Sequence, residues 1–440
     1  MKTCIPAALL AFASPGESFV CRASTASAVG SRAQQAPYNA IGSRVQQAAC
    51  NASRAERKRP VLVARMEGDG DGKLHKGIGI LELASGVFPQ GGLVRTARAG
   101  WRFIWLQMMR ELAPQDERGS YVRPNYGFRG WIGRGQFPQE AGRYHVYVGN
   151  TCPWCHRAVL AIVLRHLAPG ITFSYMDDNP DAASRGGWAF TDERDPVFGC
   201  IDLREVYEMC NPGFKGRCTA PVLIDKRAKR IVSNESSQIV RMLNEINFAR
   251  KEGGEVDLCP PPLEKKIDEI NDFVYEKINN GVYRAGFSTS QHAYDKACRD
   301  VFEGLAYCED ILSKNRFLCG ERFTEADLRL LPTAVRFDAV YTTLFKCSTR
   351  RWRDYPALQA WLRDVYQLPG VAETIDIEGC RRSYFAQLFP LNPGGIVPIG
   401  PGLEDLGLEE DAGRGSQDRS VVFHEKQCIS SAPPHFGHDG

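Results

Sequence analysis

Two patterns of apolar positions divide the middle of the chain. Before residue 250, short runs rich in β-branched and aromatic residues end in turn residues, which predicts strands. Between these runs, Pro153 and Asn234 open segments in which apolar residues recur at helical spacing. The predicted strands are residues 144–149, 171–177, 218–225 and 229–232, and the predicted helices are residues 153–166 and 238–248.

The order of these elements is strand, helix, strand, strand, strand, helix, and the third strand is entered through Ala220-Pro221. This is the order of a thioredoxin fold if the segment between the second and third strands contains one more helix. We therefore predict an α/β thioredoxin-like N-terminal domain at residues 143–249.

Beyond residue 262 the apolar pattern is purely helical. Leu263, Ile267, Ile270, Val274 and Ile278 follow each other at intervals of three or four, and residues 293–312 repeat this spacing. Residues 324–327, Thr-Glu-Ala-Asp, have the sequence of a capping box, and the proline eight residues after Thr324 is expected to kink the helix that follows. The sequence thus predicts a linker at residues 250–262 and an all-α C-terminal domain at residues 263–402.

The composition narrows the class of protein. Of the 440 residues, 43% are hydrophobic and 24% are charged, as in ordinary globular chains of two or three domains. The net charge of +3 gives no reason to expect nucleic acid as a partner, and no apolar run reaches the ~18 residues that a membrane span needs. Fifteen cysteines, an odd number spread along the chain, indicate free thiols in a reducing compartment.

Both ends of the chain differ from its middle. Residues 1–60 hold eight basic residues, seven serines and fourteen alanines but only two acidic residues. Such a start is typical of an organelle transit peptide, so residues 1–65 are expected to direct the protein to a chloroplast or other plastid, with mitochondrion or cytoplasm as alternatives. Residues 66–142 form an N-terminal extension, and residues 403–440, acidic and aperiodic, are predicted to be a disordered tail.

The motif Cys-Pro-Trp-Cys-His-Arg at residues 152–157 lies between the first predicted strand and the first predicted helix. At a helix N-terminus, unpaired N–H groups and the helix dipole stabilise a thiolate at Cys152. Cys155, one turn later, is a candidate resolving cysteine. The alternative is half of a zinc site, but the sequence offers no second ligand pair with suitable spacing. The motif therefore favours thiol redox or transferase chemistry.

Two later motifs fit a glutathione site. A cis peptide bond at Ala220-Pro221 would face the cysteine and leave the backbone of Ala220 to pair with a peptide-like ligand. Glu235 and Ser236 begin a helix, where N–H groups and a hydroxyl hold a carboxylate while the acid takes an α-amino group. A simple edge-strand proline and a simple helix cap are the respective alternatives.

The motifs CPWCHR, TAPVLID and NESSQIVRMLN resemble those of the xi-class glutathione transferases, the glutathionyl-hydroquinone reductases. The resemblance extends over residues 128–402 and includes FRGWI, GRYHVYV, GGWAF, VYRAGFSTSQHAYDKA, TEADLRLLPTAVRFDAVY and NPGGIVPIGP. The common family motif is CPWAHR, so Cys155 is a departure, one that occurs in plant and algal members. It leaves open whether Cys152 works alone or with Cys155.

The resemblance implies a glutathione-dependent reductase. Cys152 would take the glutathionyl group from a glutathionyl-hydroquinone, and a second glutathione would release oxidised glutathione. It further implies that the family's catalytic tyrosines correspond to Tyr283 and Tyr384, that Tyr341 is a candidate for the substrate pocket, and that the protein is a homodimer. The glutathione-binding residues that it implies are Trp188, Arg217, Ala220, Pro221, Glu235 and Ser236.

Three alternatives remain open at the level of sequence. The same fold could carry an omega-like dehydroascorbate reductase or a glutaredoxin-like deglutathionylase. It could also be a non-enzymatic interaction module, or a structural zinc protein. His424, His435 and His438 are irregularly spaced and have no supporting thiol or carboxylate cluster, so no metal is expected.

Overall fold

The computed structural model describes residues 90–124, 126–178, 187–190, 194–247 and 256–426. The predicted transit peptide lies outside these residues. The predicted extension is described from helix α1 (Gln90–Leu112) onward.

A four-stranded mixed sheet forms the first half of the fold. Its strands are β1 (Tyr144–Gly149), β2 (Ile171–Met176), β3 (Val222–Asp225) and β4 (Arg230–Ser233), in the order β2-β1-β3-β4. β1 runs parallel to β2 and antiparallel to β3, and β3 runs antiparallel to β4. The predicted strands and the thioredoxin-like order are confirmed.

Helices cover both faces of this sheet, which is why all six residues of β1 are buried. α2 (Pro153–Leu164) and α4 (Ser236–Glu245) pack on one face, and α3 (Leu203–Cys210) packs on the other. α3 is the helix that the insert had to contain. α2 ends two residues earlier than predicted, and His166 follows it with a φ of 51°.

The second half is helical, as predicted. Its helices, listed in chain order, are α5 (Glu264–Val274), α6 (Gly281–Gly286), α7 (Gln291–Leu312), α8 (Glu325–Arg336), α9 (Pro356–Tyr366) and α10 (Ile377–Gln387). Two π-helical turns interrupt this pattern, at Tyr275–Asn279 after α5 and at Phe337–Tyr341 after α8. Pro332 lies inside α8, which continues through it to Arg336.

The capping residues of α8 are among the most buried polar groups of the fold. The Thr324 N–H donates to Asp327 Oδ2 at 3.0 Å, as the capping-box sequence predicts. Asp327 also accepts hydrogen bonds from Leu318 N and from Trp361 Nε1, at 2.9 and 3.0 Å. One carboxylate therefore joins the start of α8 to the preceding turn and to α9.

The prediction of a disordered tail from residue 403 is wrong for residues 403–426, which we call the C-terminal strap. The strap contains α11 (Leu403–Leu406), α12 (Arg419–Val422) and β6 (His424–Glu425). β6 pairs with β5 (Val256–Asp257), which lies within the predicted linker. Leu406, Leu408, Val422 and Phe423 are each at most 5% exposed. Composition indicated disorder because these few apolar residues have no helical or strand period, yet each fills a place in the core.

Within the described residues, every helix is too short or too polar to cross a membrane.

Candidate active site

Cys152 lies at the N-terminus of α2, where β1 ends. It is the N-cap residue, with Pro153 in the first helical position, and its side chain makes no capping bond. The thiol is half-buried, and Sγ lies 4.0 Å from the carbonyl oxygen of Ala220. The Ala220–Pro221 peptide bond is cis, as the sequence predicted. The position leaves Sγ facing the backbone N–H groups of the first turn of α2.

Cys155 is fully enclosed behind Cys152. Its Sγ accepts a hydrogen bond from Gly149 N at 3.1 Å. The hydrogen bond from the Cys155 thiol, with help from the backbone of α2 and the charge of Arg336, lowers the pKa of Cys152 to about 7. Burial and the neighbouring Cys152 sulfur raise the pKa of Cys155 well above its usual value. Cys152 is therefore the member of the pair that ionises near neutral pH, while Cys155 stays a thiol.

Three tyrosines from the helical half form a cluster beside this pair. The hydroxyls of Tyr283 and Tyr384 lie 2.5 Å apart, and those of Tyr341 and Tyr384 lie 3.3 Å apart. Burial raises the pKa values of Tyr283 and Tyr384 well above the usual value, and Tyr283 lies close enough to Cys152 to interact with its charge. All three are phenols at neutral pH and can donate protons.

A stack of aromatic and cationic groups covers the first turn of α2. The guanidinium of Arg123 lies 3.8 Å from the ring centre of Trp154, and the Tyr283 ring lies 6.0 Å from the same indole. Arg123 also donates to Tyr126 Oη at 3.1 Å and lies 3.9 Å from Glu235 Oε1. The extension thus contributes a cation to the site.

Glu235 and Ser236 occupy the N-terminus of α4. Glu235 is the N-cap residue, and its carboxylate accepts hydrogen bonds from Ser237 N at 3.2 Å and from the Ser236 hydroxyl at 3.4 Å. Glu235 is half-buried and Ser236 is buried. Capping and ligand binding are compatible here, because a carboxylate has four lone-pair sites and the capping bonds leave some of them open.

Known proteins share both halves of this arrangement. Residues 151–246 match the family model "Glutathione S-transferase, N-terminal domain", and residues 291–364 match "Glutathione S-transferase, C-terminal domain". The glutathionyl-hydroquinone reductase YqjG of Escherichia coli is 44% identical over 312 residues, which cover 67% of this chain and 92% of that protein.

Two further comparisons agree. The glutathionyl-hydroquinone reductase PcpF of Sphingobium chlorophenolicum is 40% identical over 311 residues, which cover 68% of this chain and 94% of that protein. The crystal structure of the xi glutathione transferase from Phanerochaete chrysosporium aligns with a TM-score of 0.62 at 39% identity, over 66% of this chain and 95% of that one. The chain belongs to the xi class of glutathione transferases.

Of the residues implicated by the xi-class resemblance, Trp188 lies next to the turn that precedes Cys152. Its indole packs on Gly149, the last residue of β1, so closely that a Cβ there would lie 2.3 Å from the ring. Only glycine leaves room for this contact. Trp188 is thereby held at the edge of the sheet from which Cys152 emerges.

Arg217 is engaged elsewhere. Its guanidinium donates to the carbonyl oxygens of Leu112, at 3.1 Å, and of Glu111. These are carbonyls at the C-terminus of α1, where a cation stabilises the helix. The structure therefore gives the exposed Arg217 a helix-capping contact, and its role in glutathione binding stays a prediction.

The sequence did not point to Arg123, Trp154 or Arg336 as site residues. Trp154 carried a signal, since it lies inside the xi-class motif. Arg123 carried none, because residues 66–142 show no periodicity that would bring them to the site. No group of three His, Cys, Asp or Glu side chains among the described residues is placed to hold a metal ion.

Proposed function

We propose that the protein is a glutathionyl-hydroquinone reductase that works through a mixed disulfide between Cys152 and glutathione. The observation that carries this proposal is the thiolate of Cys152, whose pKa is lowered to about 7, facing a pair of phenols whose hydroxyls lie 2.5 Å apart. A nucleophilic sulfur and a proton donor are the two groups that cleavage of an aryl thioether requires.

The reaction balances with these groups alone. The thiolate attacks the glutathione sulfur of the substrate, an S–S bond forms, and the electrons of the C–S bond pass to the ring carbon. A proton from the Tyr283–Tyr384 pair completes the free hydroquinone. A second glutathione gives its proton to the phenolate, attacks the mixed disulfide and leaves as oxidised glutathione, and Cys152 is again a thiolate. The net change is one aryl thioether and one thiol converted into one arene and one disulfide.

Glutathione binding is proposed beside the N-termini of α2 and α4. The glutathione-bound structure of YqjG, 43% identical with a TM-score of 0.61, covers 65% of this chain and 96% of that one. Here the carbonyl of Ala220 beside Cys152 suits a peptide-like cysteinyl group, and Glu235 suits an α-amino group. Arg123, 9% exposed at its side chain and stacked on Trp154, suits a carboxylate.

We propose that Cys155 acts as a hydrogen-bond donor to Cys152 and not as a resolving nucleophile. Its pKa is raised well above the usual value by burial and by the adjacent Cys152 sulfur, so it stays protonated in the free enzyme. A thiol attacks a disulfide far more slowly than a thiolate. A monothiol cycle then consumes one free glutathione per hydroquinone released, and that glutathione attacks the mixed disulfide directly.

The test uses the full chain with a glutathionyl-hydroquinone and excess glutathione, with free hydroquinone and oxidised glutathione followed together. Wild type should release both in equal amounts, and Cys152→Ser should release neither. Cys155→Ser should keep turnover, because serine can still donate to the thiolate. Loss of turnover in Cys155→Ser together with a Cys152–Cys155 disulfide in wild type would contradict the monothiol cycle.

A silent wild type in this assay would contradict the reductase proposal. Reduction of dehydroascorbate or of a protein–glutathione mixed disulfide by the same preparation would then favour the omega-like or glutaredoxin-like alternative. Failure to bind glutathione at all would favour the non-enzymatic module.

Location and assembly complete the proposal. The composition of residues 1–65 supports import into a plastid, and fusion of this segment to a fluorescent protein should carry that protein there. A homodimer is proposed from the xi-class resemblance, and light scattering of the purified chain measures it. A monomer in that measurement would contradict it.

A further inference from the structure

A positive charge is buried behind the catalytic cysteine. Arg336, the last residue of α8, is 3% exposed. The titratable groups around it include Cys380 and the phenols of Tyr341, Tyr384 and Tyr283, together with Cys152, Cys155 and His156. Of these, Cys152 is the group that ionises near neutral pH, and burial of a charge without a counter-charge is costly.

Two other arginines with little exposure are paired with carboxylates. Arg316, 9% exposed at its side chain, donates from Nε and Nη2 to Asp364 at 2.8 Å each. Arg241 binds Glu325 and Asp268, both at 2.7 Å. Arg157, 3% exposed, donates instead to Asn279 Oδ1 at 2.6 Å and to the carbonyl oxygen of Arg329 at 3.1 Å. Arg336 is therefore distinguished by its position beside Cys152 and not by the lack of a carboxylate partner.

The bonds that hold Arg336 end on neutral acceptors near Cys152. Nε donates to the carbonyl oxygen of Thr151 at 3.1 Å, and Nη1 donates to Pro332 O at 2.8 Å and to His156 Nδ1 at 3.2 Å. Thr151 precedes Cys152, and His156 lies one turn after it on α2. The guanidinium is thus fixed against both sides of the catalytic residue.

His156 does not add a second positive charge beside Arg336. An arginine only donates, so Nδ1 of His156 must accept, and its proton lies on Nε2, which is 2.8 Å from Thr374 Oγ1. Burial and the charge of Arg336 hold the pKa of His156 well below its usual value, so the imidazole stays neutral. His156 orients the guanidinium and leaves it as the cation of this cluster.

Negative charge arises at two places near Arg336 during the proposed reaction. The first is Cys152, whose other titratable neighbours are Cys155, Tyr126 and Tyr283. The second is the phenol cluster after it has protonated the ring carbon; the charge of Arg336 favours the ionised form of both Tyr341 and Tyr384.

We propose that Arg336 is the fixed counter-charge for a single negative charge that moves between the Cys152 sulfur and the Tyr283–Tyr384 pair in each turnover. The presence of this charge on Cys152 follows from the resting structure. Its transfer to the tyrosines rests on the proposed function. When the thiolate forms the mixed disulfide, its charge passes through the leaving ring carbon to the phenol that protonates it. When the second glutathione returns a proton to that phenolate and then displaces Cys152, the charge returns to sulfur. The net charge next to Arg336 stays at minus one throughout, so no new charge has to be buried in the transition states.

The first experiment measures the pH dependence of Cys152 alkylation by iodoacetamide, read from the Cys152 peptide by mass spectrometry. It needs neither glutathione nor a quinol. Arg336→Met should raise the midpoint by about one pH unit or more, which makes alkylation about tenfold slower at pH 6 and leaves it unchanged at pH 9. Arg336→Lys keeps the charge, so its midpoint should stay within about half a unit of wild type.

Arg316→Met is the matched control, because it removes an arginine of similar burial that lies in an ion pair far along the chain from Cys152. It should lower thermal stability without moving the midpoint. An unchanged midpoint in folded Arg336→Met would overturn the proposal. If only Arg336→Lys folds, it decides the question: a midpoint shifted by a full unit despite the retained charge would mean that Arg336 acts through its hydrogen bonds alone.

The second experiment tests whether Arg336 also stabilises the negative charge when it lies on the tyrosines. At pH 9 a Cys152 midpoint raised from about 7 to about 8 still leaves roughly nine-tenths of the thiolate formed, so a tenfold loss of hydroquinone release in Arg336→Met at that pH reports the later anion. We expect a remaining loss of about tenfold or more, partly restored in Arg336→Lys. No remaining loss would overturn the moving charge and leave Arg336 as a partner of Cys152 only. A wild type that releases no hydroquinone would refute the proposed function, while the alkylation result would still decide the Cys152 location.

Discussion

At the residue scale, the reactivity of Cys152 comes from its neighbours and not from exposure. Most cysteines of the described chain are buried, and burial raises the pKa values of Cys308 and Cys319 to about 12. Cys152 differs because a thiol, two backbone N–H groups and a guanidinium all favour its ionised form. A single nucleophile is thereby selected from many chemically identical groups.

The hydrogen bond from Cys155 is the largest of these influences, and its removal is a direct test. In Cys155→Ala the pKa of Cys152 should rise from about 7 toward the usual value of ~8.5, because the thiolate loses its donor. A higher pKa means less thiolate at pH 6.5, so alkylation of Cys152 slows several-fold there, while its rate above pH 9 is unchanged.

Cys308→Ala is the control for that variant, since it removes a buried thiol on α7 whose pKa is raised by burial and by Asp327. It should leave the alkylation profile in place. A profile that moves equally in both variants would mean that loosened packing, and not the lost donor, is responsible.

Removal of either phenol should slow product release without affecting the nucleophile. Tyr283→Phe and Tyr384→Phe are each expected to lower hydroquinone release by about 10²-fold, because each takes one partner from the proton-donating pair. The double variant should be little worse than either single one, since the two hydroxyls act as a unit. Alkylation of Cys152 at pH 8 should stay near the wild-type rate.

Tyr294→Phe is the control, because its hydroxyl donates to the carbonyl of Lys346 away from the cluster. Its hydroquinone release should match wild type. Equal activity in all four proteins would remove tyrosine from the mechanism.

The sequence was sufficient to identify site residues that lie in short local motifs. It was not sufficient for residues that are far from Cys152 along the chain and reach the site only through the fold. Cys152, Cys155 and the Ala220–Pro221 pair lie in short motifs with a physical reason at that spacing. Arg336 is 184 residues from Cys152 by sequence number, and Arg123 lies in a stretch without periodicity. No spacing rule connects such positions, because only tertiary packing brings them together.

At the element scale, the two π-helical turns place the tyrosines. Tyr275–Asn279 lies directly before α6, which carries Tyr283, and Phe337–Tyr341 ends in the third member of the cluster. A π turn adds a residue to the helical repeat and so rotates the face that follows it. Gly286 then leaves room for the ring of Phe345, which would lie 2.3 Å from a Cβ there and which stacks on Tyr341 at 5.2 Å.

Periodicity predicted the helices but not these turns. The apolar spacing from Leu263 to Ile278 is regular through the first π turn, so nothing in the pattern marks the change of hydrogen bonding. The strands and α2 were predicted within one to four residues because turn residues and Pro153 bound them.

The cap of α8 should be the most sensitive polar contact of the helical half. Asp327→Ala leaves buried donors at Leu318, Thr324 and Trp361 without acceptors, so unfolding in urea should show a loss of about 3–5 kcal/mol in free energy of unfolding. Asp310→Ala, which removes an exposed pair with Lys314, should cost no more than about 0.5 kcal/mol. Comparable losses in the two variants would show that burial of the carboxylate does not matter.

At the scale of the whole molecule, the C-terminal strap joins the two halves. β6 pairs with β5, and Arg419 donates to the carbonyl of Leu164 at the end of α2, at 2.6 Å. On the helical side, Phe323 pairs with Phe423, and Arg414 donates to Leu312 and Ala357 carbonyls at 3.0 Å each. One segment therefore contacts the sheet half and the helical half at once.

Deletion of the C-terminal strap should lower the stability of the whole protein and not that of one half alone. A chain that ends after residue 402 loses the burial of Val422, Phe423, Leu406 and Leu408, at ~1.5 kcal/mol or more for each side chain. Its thermal midpoint should fall by about 10 °C or more, in a single transition. A chain that ends after residue 426 keeps every described contact and should match wild type. Two separate transitions in the shorter chain would show that the strap couples the halves, while an unchanged midpoint would show that it does little.

The strap also has a consequence for synthesis. Of the residues with described structure, these are the ones that the ribosome adds last, and earlier parts of a chain generally fold first. A nascent chain that already carries Cys152, Tyr283 and Tyr384 still has β5 without its partner strand and lacks the aromatic ring of Phe423 in the core. Translation that stops shortly before the strap would thus give a product that carries Cys152, Tyr283 and Tyr384 but has an unfinished core, and an unfinished core exposes a chain to proteases.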